Sequence, residues 1–163
     1  MSYNFNAEDM LDMAQQIERN GGNFYRKAAK HTADPDVKEI LLDLASMEDD
    51  HLRVFIEMKE NLPALEKTPP FFNPDENEME YLKAMADGWV FDVKVAPEKH
   101  LTGAESTDKI LKIAIGLEKD SIVFYLGMKK FVPESMGKER LDDIIQEEMK
   151  HIAILSSWIE RLK

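Results

Sequence analysis

The chain has 163 residues and a net charge of −11, from 21 Lys and Arg against 32 Asp and Glu. This length suffices for one core, and we predict a single domain over residues 1–163. A chain this acidic repels phosphate backbones, so we expect no nucleic-acid partner. Because cysteine is absent, disulfides, thiol nucleophiles, iron–sulfur clusters and cysteine zinc sites are excluded.

Targeting and composition signals point to a helical protein of the cytoplasm. No apolar run approaches the roughly 18 residues that a membrane helix needs. The first residues, MSYNFNAEDM, lack the basic and apolar regions of a secretion signal. We therefore expect no membrane partner and a cytoplasmic location. The few glycines and prolines, seven of each, lie mostly between long segments, which favours helices over sheets.

Apolar residues recur every three or four positions in four segments, and this spacing predicts four helices. We place these helices at about 7–30, 35–61, 107–131 and 138–162. The loops 31–36 and 132–137 are short, so each joins antiparallel neighbours, whereas 62–106 is long enough to cross the bundle. The sequence therefore predicts an all-α four-helix bundle of two antiparallel hairpins joined by a long crossover.

Two of the predicted helical seams are interrupted by charged residues. The second seam contains Val37, Leu41, Leu44, Glu48, His51, Phe55 and Met58, and the fourth contains Leu141, Ile144, Glu148, His151, Leu155, Trp158 and Leu162. Each seam therefore has a Glu-x-x-His where leucine would be expected. A charged group in such a position is costly unless it is paired or bound to a metal.

The second hairpin repeats the first at an offset of 100 residues. The matching pairs are Glu18 and Glu118, Tyr25 and Tyr125, Glu48 and Glu148, and His51 and His151. Within each hairpin the two glutamates are equidistant from the short loop, so an antiparallel pair places them at the same height. If the hairpins pack about a pseudo-two-fold axis, four glutamates and two histidines meet at one level.

This convergence predicts a buried site for two metal ions. Its ligands would be Glu18, Glu48, His51, Glu118, Glu148 and His151. Residues three apart share a helix face, so each Glu-x-x-His can offer both groups to one centre. Two divalent cations would neutralise the four carboxylates. Glutamate oxygens and neutral imidazoles suit iron or manganese, and zinc is less apt without cysteine.

The paired Glu and Glu-x-x-His pattern resembles the ferritin-like superfamily, and most closely the rubrerythrin group, over all four helices. The resemblance implies two iron ions, with manganese or zinc as alternatives. The implied roles are bridging for Glu48 and Glu148, terminal ligation for Glu18 and Glu118, and binding of one metal each for His51 and His151. Tyr25 and Tyr125 would donate hydrogen bonds around the ligands, and the alternative is that they are ordinary core aromatics.

The chain departs from the rubrerythrin pattern at several points. It cannot hold the cysteine-bound iron module of full-length rubrerythrins, so electrons would come from a separate donor protein. Ser121 stands where the family typically has a further glutamate, and Gly21 is its repeat partner; these small residues could leave room for oxygen or peroxide. Glu147 is expected to face solvent, and the alternative is that it orients a histidine.

The resemblance implies a di-iron oxidoreductase of oxidative stress, acting as a non-haem peroxidase or ferroxidase. Hydrogen peroxide would be reduced, or Fe(II) oxidised by oxygen or peroxide, and we expect a homodimer. One alternative is iron binding and storage in a ferritin-like shell. Another is a non-catalytic bundle with a vestigial metal site.

Overall fold

The protein is an all-α four-helix bundle. The computed structural model describes residues 7–63, 77, 80, 81, 84, 97–129, 132 and 137–163. The helices are α1 (Ala7–His31), α2 (Pro35–Glu60), α3 (Thr107–Met128) and α4 (Lys138–Arg161), with a short 3-10 helix at Pro97–His100. The predicted fold class is confirmed. The third helix ends at Met128 with Lys129 as its C-cap, three residues earlier than predicted; residues 130 and 131 lie outside the described part.

Local sequence signals set where α2, α3 and α4 begin. The Asp34 carboxylate accepts hydrogen bonds from the backbone N–H groups of Asp36 and Val37, at 2.9 and 3.2 Å. Ser106 caps α3 in the same way through the N–H of Lys109. Gly137 precedes α4 with a φ of 88°, a left-handed conformation that glycine adopts without steric cost.

Two apolar clusters fix the direction of each helix. One cluster joins the start of α1, the ends of α2 and α3, and the start of α4, and it includes Met10, Phe55, Phe124 and Leu141. The other joins the opposite ends and includes Phe24, Leu41, Ile110 and Leu155. Helices α1 and α4 therefore run one way, and α2 and α3 run the other.

The crossover must span the length of the bundle in this topology. It leaves α2 beside Leu62 in the first cluster and reaches α3 after Leu101 in the second. A 25-residue helix such as α1 is about 38 Å long at 1.5 Å per residue. Most of the predicted crossover, 62–106, lies outside the described residues. Within it, the described positions 77, 80, 81 and 84 are helical.

The predicted seams of α2 and α4 are buried except at the end of α4. Trp158 is half-buried and Leu162 is 41% exposed, so the seam assignment of Leu162 is wrong. Leu162 is the C-cap of α4 and lies beyond its last helical turn. Among the residues described here, no helix is both long enough and apolar enough to cross a membrane.

Asp34→Ala should destabilise the protein by about 1 kcal/mol, because two backbone N–H groups at the start of α2 lose their side-chain acceptor. Lys38→Ala, on the exposed face of the same helix, is the control and should be nearly neutral. Urea unfolding measures both free energies. Equal midpoints for the two variants would show that the cap contributes nothing.

Candidate metal centre

A layer of charged side chains separates the two apolar clusters. It consists of Glu18, Glu48, His51, Glu118, Glu148 and His151, and each residue is at most 4% exposed. We call these six residues the Glu–His layer. Each helix contributes to it from its middle turns, because the seam residues on either side belong to one cluster or the other.

The layer contains two overlapping groups of ligand atoms. One group is Glu18, Glu48, His51 and Glu148, and the other is Glu48, Glu118, Glu148 and His151. Within each group, one nitrogen or oxygen atom per residue lies within 4.8 Å of the others. Glu48 and Glu148 belong to both groups, whereas the remaining four residues each belong to one. The structure thus brings together all six residues that the repeat placed at one height.

Both histidines turn the same ring nitrogen toward the carboxylates. His51 Nδ1 is 3.2 Å from Glu148 Oε1 and 3.5 Å from Glu18 Oε2. His151 Nδ1 is 2.9 Å from Glu148 Oε2 and 3.4 Å from Glu118 Oε1. The two rings stack with their centroids 5.6 Å apart. The Nδ1 atoms therefore face the same space as the carboxylate oxygens.

The outer nitrogen of His51 meets Glu147. His51 Nε2 is 2.7 Å from Glu147 Oε2, and the Glu147 side chain is half-exposed. The sequence interpretation favoured exposure and gave the orientation of a histidine as the alternative; the structure shows that contact on a half-exposed side chain. A signal was available, because residue 147 departs from the repeat: its counterpart 100 positions earlier is Met47.

Two tyrosines hydrogen-bond to carboxylates of the layer across the repeat. Tyr25 on α1 donates to Glu118 on α3, and Tyr125 on α3 donates to Glu18 on α1. Each hydroxyl therefore bonds the glutamate of the other hairpin, not the one on its own helix. Burial, followed by the nearby carboxylates, raises the pKa of each hydroxyl well above its usual value of 10.

Burial makes the carboxylates hold protons more tightly than they do in water. It raises the pKa of Glu18 and raises that of Glu48 strongly, with neighbouring glutamates adding to the effect. Burial and the charge of Glu148 raise the pKa of Glu118 to about 8. The pKa of Glu148 is shifted the other way. Burial and the charge of Glu48 act to raise it, but contacts with the two histidines hold it below the usual value.

The pKa values of the two histidines are raised, although burial alone would lower them. Burial lowers the pKa of His51, but the carboxylates of Glu148 and Glu18 outweigh it and raise the value to about 11. In the same way, Glu118, Glu148 and Glu48 raise the pKa of His151 to about 12. In the metal-free layer the imidazoles are therefore protonated near neutral pH.

The polar atoms of the layer fit a divalent cation. Buried atoms of the layer without a hydrogen-bond partner among the described residues include Glu18 Oε2, Glu48 Oε1, both oxygens of Glu148 and Nδ1 of both histidines. Unsatisfied buried polar atoms are costly in a folded protein. Carboxylate oxygens together with imidazole nitrogens are a donor set that first-row transition metals accept. The residues present thus match what a metal ion would need.

A small cavity opens on the α1 and α3 side of the layer. It has a volume of about 20 Å³ and lies between Gly21 and Ser121, with Glu48, Glu118 and Tyr25 among the residues that line it. That is enough for one water-sized molecule. A Cβ at Gly21 would lie 2.7 Å from Glu48 Oε2, so a larger residue at this position would displace the Glu48 carboxylate. The Ser121 hydroxyl donates a hydrogen bond to the Leu117 carbonyl of the same helix.

A four-helix bundle that holds one Glu and one Glu-x-x-His from each hairpin in its core is the architecture of the ferritin-like carboxylate proteins. The family model described as Rubrerythrin matches residues 9–159, and the chain belongs to this family. The fold is similar to that of a Thermotoga maritima chain described as a ferritin-like diiron-carboxylate protein, with a TM-score of 0.72, 23% identity and full coverage of both chains. No curated protein matches the sequence.

Gly21→Ala should weaken metal binding without unfolding the bundle. The new methyl group displaces the Glu48 carboxylate, and alanine is the better helix former by up to about 1 kcal/mol. We expect metal affinity to fall about tenfold or more, the scale on which disturbing a ligand's surroundings acts. Calorimetric titration with Mn²⁺ and melting of the metal-free protein measure the two effects.

Gly116→Ala is the matched control, because a Cβ there meets nothing within 4 Å. It should leave metal affinity unchanged. Equal affinities for the Gly21 and Gly116 variants would show that a Cβ at residue 21 does not disturb the Glu48 carboxylate.

The stability of the metal-free protein should fall as pH rises from about 5 to about 8. Glu118 and both histidines have folded-state pKa values above their ordinary ones, so the folded protein binds more protons than the unfolded chain in this range. Stability is then present at low pH and lost as pH rises through the folded values. Melting temperatures measured across this pH range in the presence of a chelator test the prediction. Glu118→Gln should show a smaller fall in melting temperature with pH.

A bound metal should reverse this trend because it replaces the protons. The rise in melting temperature on adding Mn²⁺ should therefore grow with pH. Stabilisation follows RT ln(1 + [M]/Kd), about 4 kcal/mol at a thousandfold excess over Kd. A melting temperature that does not respond to metal at any pH would count against the centre.

Proposed function

We propose that the protein is a di-iron carboxylate oxidoreductase that reduces hydrogen peroxide with electrons from two Fe(II) ions. The observation that carries this proposal is the pair of overlapping ligand groups that share Glu48 and Glu148. Two sites with shared carboxylates suit two adjacent cations. The cations would be bound in a layer closed on both sides by apolar clusters.

The geometry supports a specific set of ligand roles. Glu48 and Glu148 would bridge the two ions, since both belong to each group. Glu18 with His51 would complete one position, and Glu118 with His151 the other. The histidines would bind through Nδ1, the nitrogen that faces the carboxylates.

Iron is the ion that the donor set and the proposed reaction favour together. Four carboxylates and two divalent cations balance in charge, which removes the cost of burying the glutamates. Manganese fits the same donors, and zinc fits them less well without thiolates. Of these ions, zinc lacks the redox chemistry that the reduction of peroxide needs.

The chain's own residues prepare the site for a small oxidant. The cavity beside Gly21 and Ser121 is of the size of one small molecule and reaches Glu48 and Glu118. Tyr25 and Tyr125 keep their protons, because their pKa values lie well above 10, and they hold Glu118 and Glu18 in place. The apolar clusters exclude bulk water from the layer.

When bound as Fe(II), two iron ions supply the two electrons that, with two protons, convert one hydrogen peroxide into two waters. The chain has no cysteine and so no thiolate to hold a second redox centre. Continued turnover then needs a separate electron-donor protein. Iron oxidation by oxygen, as in a ferroxidase or an iron-storage protein, is the alternative for the same layer.

Reduced, iron-loaded protein should consume peroxide at one molecule per two Fe(II) ions, and multiple turnover should require an added electron donor. Glu148→Ala should abolish the reaction, because it removes a carboxylate that both positions share. Stopped-flow absorbance after mixing with peroxide measures the rate for protein of known iron content.

Glu139→Ala, an exposed glutamate on the same helix, is the control and should react as the unmodified protein does. Ser121→Ala should also change little, since its hydroxyl is bonded to the backbone. If Glu148→Ala with equal iron oxidises as fast as the unmodified protein, the peroxidase proposal is wrong. A much faster reaction with oxygen than with peroxide would favour the ferroxidase alternative.

A further inference from the structure

The two histidines of the layer have equivalent contacts at Nδ1 and different contacts at Nε2. Both turn Nδ1 toward the carboxylates, Glu148 being the nearest in each case. On the outer side, His51 Nε2 lies 2.7 Å from Glu147 Oε2. His151 Nε2 is buried and has no hydrogen-bond partner among the described residues.

This difference originates in one departure from the repeat. Glu147 on α4 reaches His51 on α2, so the equivalent partner for His151 on α4 would be residue 47 on α2. That residue is Met47, which lies in the groove between α2 and α4, and so does Ile154, one turn beyond His151. A thioether is only a weak hydrogen-bond acceptor. Among the described residues, a carboxylate thus meets Nε2 of one histidine and none meets Nε2 of the other.

The contact matters because of how imidazole binds a metal. An imidazole that offers its Nδ1 lone pair must hold its proton on Nε2. A carboxylate that accepts this proton in a hydrogen bond selects that tautomer, fixes the ring plane and makes Nδ1 more basic. Glu147 is positioned to do all three for His51. Its half-exposed carboxylate does so without adding another charge to the buried layer.

We infer that Glu147 is a positioning residue that makes the two halves of the centre unequal, so that the position served by His51 binds a divalent cation more tightly than the position served by His151. This inference rests on the metal centre proposed above. It adds that the first metal to load occupies the Glu18 and His51 side. Partners of this kind typically change metal affinity by about 10- to 100-fold.

Titration of the metal-free protein with Co²⁺, followed by calorimetry and visible absorption, tests the inference. The unmodified protein should show two affinities that differ by about 10- to 100-fold. Glu147→Ala should weaken the tighter one by a similar factor and leave the weaker one in place. Glu147→Gln, which keeps an oxygen acceptor, should fall between the two.

Two further variants sharpen the comparison. Glu160→Ala removes the same side chain and charge from an exposed position on α4 and should leave both affinities unchanged. Met47→Glu places a carboxylate at the position equivalent to Glu147 and should strengthen the weaker affinity. Melting of each metal-free variant establishes that the bundle is intact.

The outcomes separate this inference from the proposed centre. Two equal affinities in the unmodified protein, or a Glu147→Ala titration that matches it, would overturn the role of Glu147 and leave the centre standing. An equal loss of both affinities in Glu147→Ala and Glu160→Ala would reduce the effect to net charge and also overturn it. If the unmodified protein binds no Co²⁺, the metal centre and this inference fail together.

Discussion

The burial of four carboxylates at one level of the bundle is the constraint on which the rest of the structure depends. Glu18, Glu48, Glu118 and Glu148 are almost fully inaccessible, and charges in such positions repel one another and lose hydration. Without a cation the layer offsets this cost with protons, as the raised pKa values of Glu118 and the two histidines indicate. Divalent cations would replace those protons, so the fold and the proposed chemistry share one electrostatic balance.

The pseudo-two-fold repeat organises the layer and its immediate surroundings. Tyr25 and Tyr125 each donate to the glutamate of the opposite hairpin, which ties the hairpins together at the level of the charges. The symmetry is broken on two opposite sides of the layer. Gly21 faces Ser121 across the small cavity, and Met47 occupies the repeat position that corresponds to Glu147. These differences leave a small cavity on one side of the layer and unequal histidine contacts on the other.

Much of the fold and the site was predictable because their signals are periodic. Heptad-like spacing and short loops gave the helices to within three residues at every end, and Asp34 marked the start of α2 through its cap. The offset of 100 residues placed the Glu–His layer, because equal distances from two turns mean equal heights in antiparallel helices. The end of α3 and the exposure of Leu162 were missed, since the apolar spacing continues past the C-caps at Lys129 and Leu162, where the helices end.

The sequence by itself determined the four helices, the level of the six charged residues and the exclusion of every thiol-based site, because residue spacing and composition carry that information. Only the tertiary structure decided which atoms meet. It turned the Nδ1 atoms inward, crossed the tyrosines between hairpins and brought the half-exposed Glu147 to His51. It also placed the Glu48 carboxylate 2.7 Å from the position that a Cβ at Gly21 would take. Such contacts join residues of different helices, and their distances follow from helix rotation and packing, which no local pattern of residues specifies.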